Sequence, residues 1–487
     1  MRRSSSVVTL WFAVVCVLAS VFISADFASA QNSLSKRKHS LAVSPDAPAS
    51  SRIAARSSLP PLTADTWTGT AGDSNWNTST NWNAGVPSSS DAVTISTAST
   101  TVNLSAGTAG QFGTLTLGSG DTLNVNGNET MEAFGNITNG GAIDLGLSSN
   151  NTVGTLLLEG NVTMTGTLTM SNNVSNYIYG ANALDQLTNT GTIQGAGHIG
   201  NGSMSLVNSG TINTNQSAGM TIQVNDGFTN TGTVEATSGA VLTITSSGTI
   251  NNTGGTISAG TGSTVAVNSS TIEGGNVTIT GAGILQLNSS TFTLGTLTNS
   301  STGQIQIASG YSNYLGGTIT NPTGGIINIE NGTGLNLYGG AYSSMGAVQL
   351  NSAGSASELV IQGPVTLSGG SITMSNNTQN YIFGGTASDT LTNQETISGA
   401  GVIGNNSLTL VNSGTINSNQ TSGMTINPNG GVTNTGTIES TSGSTLNISN
   451  TTVNGAGGTI SANASTIKLN SATINGGNIT LTGASTL

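Results

Sequence analysis

The sequence predicts an all-β chain wound as a right-handed parallel β-helix, a β-solenoid with rungs of about 16–22 residues. Three observations predict it. A long duplication runs through the chain, a shorter beat recurs inside each copy, and apolar residues alternate with polar ones over short stretches.

The duplication is read directly. Met170-Ser-Asn-Asn and Tyr177-Ile-Tyr-Gly return as Met374-Ser-Asn-Asn and Tyr381-Ile-Phe-Gly, an offset of 204 residues. Leu206-Val-Asn-Ser-Gly-Thr-Ile returns at Leu410 with the same offset, which drifts to 202 by Leu285 and Leu487. Within the first copy, Asn189-Thr-Gly-Thr-Ile, Asn208-Ser-Gly-Thr-Ile and Asn230-Thr-Gly-Thr-Val follow one another at 19 and 22 residues, and Asn393, Asn412 and Asn434 repeat both spacings. Such a motif reads as a corner and the strand after it. Glycine permits the turn, and threonine and isoleucine suit the strand. Asparagine can stack on its copies in neighbouring rungs and satisfy the turn's buried carbonyls and amides. Val265 and Val267, Val277 and Ile279, and Leu285 and Leu287 supply the alternation of half-buried strands. Some 420 residues at about 20 per rung predict roughly 21 rungs and a rod on the order of 100 Å long.

Taken in order, residues 1–30 read as a signal peptide. Arg2 and Arg3 precede an apolar run from Val7 to Ile23, and Ala28-Ser29-Ala30 offers a small-x-small cleavage pattern before Gln31. Residues 31–64 are rich in Ser, Ala and Pro, carry Lys36, Arg37, Lys38, Arg52 and Arg56, and read as a flexible linker. Residues 65–100 hold Trp67, Trp76 and Trp82 and read as a tryptophan-rich cap on the first rung. Residues 101–487 are the solenoid, its copies falling at about 155–358 and 359–487. The second copy stops with about a third of its length unmatched, so the expected natural product is longer.

Composition excludes several functions. Beyond Arg56 the only cation is Lys468, and neither nucleic-acid phosphates nor an anionic membrane surface can be neutralised without clustered cations. The single cysteine, Cys16, lies in the signal region, so disulfides and thiolate chemistry are excluded from the mature chain. Membrane insertion of the mature chain is not expected, because no second long apolar run exists.

The Asn-x-Gly-x-Ile rungs resemble those of filamentous haemagglutinins and of bacterial autotransporter passenger domains. The opening Trp67…Trp76…Asn81-Trp82…Gly85-Val86-Pro87…Asp91-Ala92-Val93-Thr94-Ile95 is similar to the start of many exported β-strand-repeat proteins of Gram-negative bacteria. The resemblance implies export, a right-handed β-helix, and adhesive or surface-matrix roles. This chain shows neither the C-terminal outer-membrane barrel nor the two-partner secretion domain of those families.

No catalytic, metal or cofactor site is expected. Lyase chemistry on acidic glycans needs a base and cations to neutralise the substrate carboxylate, and Lys468 alone does not supply them. Glycosidase chemistry needs two facing carboxylates; Glu129 and Glu132 fall on opposite faces of a strand, while Asp121 and Asp144 fall one rung apart. Isolated solvated acids are the simpler reading. His198 is replaced by Val402 in the second copy, which fits packing better than catalysis. Trp67, Trp76 and Trp82 are weak candidates for stacking on sugar rings, against the simpler role of a hydrophobic cap. Tyr177 and Tyr179, with Tyr381 and Phe383, are weak candidates for an aromatic binding strip, against a ladder at one corner. Thr165, Thr167 and Thr169 suggest a threonine array of the kind that matches ice or a crystal lattice.

The expected function is therefore that of an exported structural or adhesive protein of a bacterial cell surface, acting as a rigid rod through shallow multivalent contacts. Glycans, host or neighbouring-cell surfaces and extracellular matrix are the expected partners. Carbohydrate or ice and crystal-surface binding is the alternative, and a β-helix polysaccharide-degrading enzyme is the weakest of the three.

Overall fold

The computed structural model describes residues 61–105, 108–146, 152–225, 227–343 and 345–487. The signal peptide and the linker up to residue 60 lie outside them. The first strand, Thr63–Thr66, already belongs to the folded unit, which therefore begins before the boundary at 65.

Residues 61–487 form one contact unit built almost wholly of short strands. Successive strands occupy three faces in turn. Asp91–Ile95 lies on face one, Thr101–Leu104 on face two and Gly110–Phe112 on face three, after which Thr114–Leu117 returns to face one and pairs with Asp91–Ile95. Every ladder between these strands is parallel, as a solenoid requires. Face three is unbroken among the described residues, with 18 strands from Gly110–Phe112 to Asn478–Thr482. At about 4.8 Å per step this stack extends about 80 Å.

The turn is longer than the sequence suggested. The spacing is 19 residues between Asn189 and Asn208, 22 between Asn208 and Asn230, but 25 between the paired Asn161 and Gln186 and 26 between Pro364 and Thr390. Turns without the Asn-Gly motif run from 20 residues, as between Thr256 and Asn276, up to these longer ones. Elsewhere corner loops such as 172–176 and 181–185 add residues; these recur once, 204 residues later, and not from turn to turn. Fewer, longer turns result, and a shorter stack than roughly 21 rungs would give.

Inside, the strands follow the period-two rule: the residues pointing into the stack are buried and most are apolar, with asparagine, serine or glycine at strand ends near the corners. On face three one inward column runs Leu242, Val265, Leu285, Ile305, Ile327, Val348, Ile372, Ile397, Ile416, Ile438 and Ile460. Each side chain meets a like neighbour above and below, so the core is a set of aliphatic ladders rather than a globular jigsaw.

Two strands set the relation between the copies. Thr333–Tyr342 and Ser357–Leu367 each run along face one and continue onto the second side of their turn without a break. The earlier face-two ladder ends at Thr318–Thr320. From Ser357–Leu367 onward, face one pairs with Asn380–Gly384 and the second side with Thr390–Asn393. Tyr177–Gly180 lies on face three, whereas its duplicate Asn380–Gly384 lies on face one. Gln186–Asn189 lies on face one and its duplicate Thr390–Asn393 on the second side; Thr192–Gly195 lies on face two and its duplicate Thr396–Gly399 on face three. Nine pairings climb face three from Tyr177–Gly180 to Gly370–Met374, the strand just before Asn380–Gly384. The duplication thus spans nine turns and one face, and equivalent surfaces of the two copies point about a third of a turn apart.

The corners are held by asparagine. Asn189, Asn208, Asn230 and Asn252 are wholly buried, and each Nδ2 donates to the next Oδ1 at 2.8, 2.8 and 2.7 Å. Asn208 Nδ2 also donates to the carbonyls of Gly210 and Thr233, and Asn189 Oδ1 accepts the Gly191 amide. Asn393, Asn412 and Asn434 repeat the ladder at 2.8 Å per step, one corner further round. Glycine is needed close by. Gly195 and its duplicate Gly399 sit at φ 116° and 129°, and a Cβ there would come within 1.9 and 2.0 Å of the carbonyl oxygens of Met170 and Met374.

Candidate functional site

The candidate residues fall into separate groups. At the start of the unit, Trp67, Trp76 and Trp82 are buried, with Trp76 fully enclosed. Their rings meet edge to face at centroid distances of 4.9 and 4.8 Å, and Trp82 Nε1 donates to the Trp76 carbonyl at 2.7 Å. Thr63–Thr66 pairs in parallel with Asp91–Ile95, and Asp73 accepts from Asn75, Thr78 and Asn81 to close the loop that carries Trp76. A sugar ring cannot stack on these tryptophans while the loop is closed, because their faces are already occupied.

Tyr177 and Tyr179 point outward from face three. Tyr177 stacks on His198 with centroids 4.8 Å apart and planes 10° from parallel, and meets Tyr179 edge-on. Burial pushes the His198 imidazole below its ordinary pKa, so the neutral ring is favoured against the tyrosine. In the second copy Tyr381 pairs with Val402, which stands where His198 does. The aromatic pair of the first copy and that of the second lie on different faces, so they form neither one strip nor one corner ladder.

The threonine array is one column wide. Thr167 pairs with Thr192, which pairs with Thr211, then Thr233. Beside it, Thr169 is flanked by Asp144 and Gln194, and the column continues through Asn213 and Glu235. Thr165 sits at the corner, where it accepts the Asn139 amide.

Several acids serve the backbone instead of lying free in solvent as expected. Asp121 is 1 % exposed and accepts the Thr100 amide of the preceding turn, while Asp185 and its duplicate Asp389 accept the amides of Asn182 and Thr386 in their own corners. Glu132 accepts from the Gln111 side chain at 2.6 Å. Asp144 stands on face two opposite Asn124, and burial raises its pKa. No group of three or more His, Cys, Asp or Glu poised to hold a metal occurs among the described residues.

Glu395 is the acid that sequence reasoning passed over, although the duplication places it where the first copy has Gly191. It is buried: Oε2 accepts the Gly370 amide, while Oε1 has no hydrogen-bond partner among the described residues. Burial pushes its pKa up to about 7, with the Gly370 amide opposing the rise. Below about pH 4.5 the carboxyl is neutral in both folded and unfolded chains. Between there and pH 7 the unfolded chain ionises first, so stability falls as pH rises, and above pH 7 the loss is complete. Allowing for water reaching the turn, the loss is roughly 2 kcal/mol. Glu395→Gln is expected to match the parent near pH 4 and exceed it by about that amount at pH 8, measured by urea unfolding at both pH values.

Sequence reasoning also passed over the tyrosines at 311, 314 and 338. Tyr314 and Tyr338 lie on face one in the turns around Thr333–Tyr342, on the same face as Tyr381 and Phe383, and Tyr311 stands at the corner just before that face with its ring against Gly334. No local motif marks them; only the register brings them together. Comparison with protein-family models, curated proteins and solved structures finds no match to the chain. Its class is defined by the fold alone, a three-faced parallel β-solenoid of about 17 turns.

Proposed function

We propose that the chain is an exported structural and adhesive rod of a bacterial cell surface, working by shallow contact along its outer faces and not by turnover of a substrate. The observation that carries this reading is the unbroken parallel ladder on face three, buttressed at its corners by buried asparagine ladders. Each turn pairs with the turn before and the turn after, so bending the stack breaks hydrogen bonds in register, and stiffness follows from the fold. The scarcity of cations keeps the outer faces polar and weakly acidic. That suits contact with uncharged matrices and disfavours nucleic acid. The resemblance of the corners to haemagglutinin and autotransporter rungs, and the leader pattern ending at Ala30, support export. A one-column threonine array with mixed neighbours gives little support to ice recognition.

Protease shaving of intact source cells, read by mass spectrometry, tests the proposal. Peptides from residues 61–487 released from live cells, with a mature N-terminus at Gln31, are expected. An intracellular chain that retains Met1 and resists shaving would overturn it.

A further inference from the structure

We infer that the outer side of face one, between Tyr311 and Phe383, is a binding platform for uncharged glycans. This names the contact surface of the rod proposed above and rests on that reading. Three outward columns converge there. One runs Tyr314, Asn336, Val360 and Phe383; a second runs Gly334, Glu358 and Tyr381; a third pairs Tyr338 with Gln362. Adjacent columns lie about 7 Å apart and adjacent turns about 4.8 Å apart, so the platform measures roughly 14 Å each way.

Glycine lets the rings lie against the sheet. A Cβ on Gly316 would come within 3.3 Å of the Tyr338 ring, and one on Gly334 within 3.0 Å of the Tyr311 ring. Tyr314 and Tyr338 stack with centroids 5.8 Å apart and planes 23° from parallel. Tyr311 and Tyr338 nevertheless remain 47 % and 40 % exposed. A chain with only 4 % aromatic residues thus gathers four of its seven tyrosines, with Phe383, on one side of a few consecutive turns.

The polar groups among the rings decide the ligand. Asn336 is buried, its Oδ1 accepting from Gln362 Nε2 at 3.0 Å and its Nδ2 donating to the carbonyls of Tyr311 and Asn313, while the Tyr381 hydroxyl donates to Gln379 Oε1 at 3.1 Å, so the carboxamides left at the ring edges are those of Gln362 and Gln379. Glu358 is half-buried and its pKa is raised by burial. No cation lies on these turns, so carboxylated or sulfated polymers have no counter-charge. A neutral pyranose offers what the surface can use, an apolar C–H face for the rings and hydroxyls for the amides. A second protein chain would need a complementary apolar surface and would leave the carboxamides to be satisfied by its own backbone.

The test is affinity electrophoresis and calorimetry of the full chain with cellohexaose, xylohexaose, mannohexaose and chitohexaose, alongside pull-down on insoluble cellulose and chitin. At least one neutral glycan is expected to bind. Tyr338→Ala and Tyr381→Ala are each expected to weaken binding about tenfold, while Tyr338→Phe, which keeps the ring, and Tyr177→Ala, on face three, leave it within twofold. Unchanged thermal unfolding of each variant separates lost binding from lost fold. Failure of every neutral glycan to bind, or binding insensitive to Tyr338 and Tyr381, overturns the platform. Adhesion of intact cells that persists in either case leaves the rod reading standing.

Discussion

Replacing Trp76 with alanine is expected to cost about 3–5 kcal/mol of local stability at the first turns, the range for emptying a buried aromatic site. Trp76 is fully enclosed and packs edge-on to Trp82, which itself packs on Trp67. Beneath them Val93, Ile95, Val102 and Leu104 form the first layer of core. A solenoid's turns are coupled only to their neighbours, so loss of the cap exposes that layer and frays the stack from this end. Hydrogen exchange checks the outcome. In Trp76→Ala the amides of Asp91–Ile95 and Thr114–Leu117 should lose most of their protection, while those around Thr256–Ala259 and beyond keep theirs. Uniform loss along the chain would mean that the tryptophans support something other than the first turn.

Asn208→Ala should cost about 3 kcal/mol from the middle of the stack. The side chain accepts from Asn189, donates to Asn230, and donates to the carbonyls of Gly210 and Thr233. Alanine leaves those buried partners unsatisfied in a corner with no room for rearrangement, and each orphaned group costs on the order of 1 kcal/mol or more. Asn412→Ala, its duplicate, removes the same set of bonds from Asn393, Asn434, Gly414 and Thr437. Equal losses at the two positions, measured by urea unfolding, are expected. A loss below 1 kcal/mol at both would show that the ladders are incidental to stability.

The sequence made the solenoid legible because its strongest signals are structural. The Asn-x-Gly-x-Ile corner names the turn, the ladder residue and the following strand at once, and the predicted stacking of Asn189, Asn208 and Asn230 is what the structure contains. The length of a turn was less legible, since the motif labels only some of the turns and the corner loops at 172–176 and 181–185 recur only in the long duplication and not from turn to turn. The displacement of the second copy by one face was not legible at all. It depends on the accumulated turn count and on Thr333–Tyr342 and Ser357–Leu367 running past a corner without a break. For the same reason Tyr177 and Tyr381 looked like members of one strip. The platform residues were hidden more simply: Tyr311, Tyr314 and Tyr338 are adjacent in register to residues far along the chain, and nothing near them in sequence distinguishes them. Glu395 alone left a signal, a charged residue where the first copy has Gly191.

The rigid, counted stack of turns is tested most directly by a distance between spin labels. Cys16 is the chain's only cysteine, so with Cys16→Ser the pair Thr221→Cys and Thr373→Cys can be labelled cleanly. Both positions face outward in one column of face three, seven ladder steps apart. A single narrow distribution centred near 34 Å is predicted from about 4.8 Å per step. A broad distribution, or a centre displaced by more than two steps, would contradict the rod.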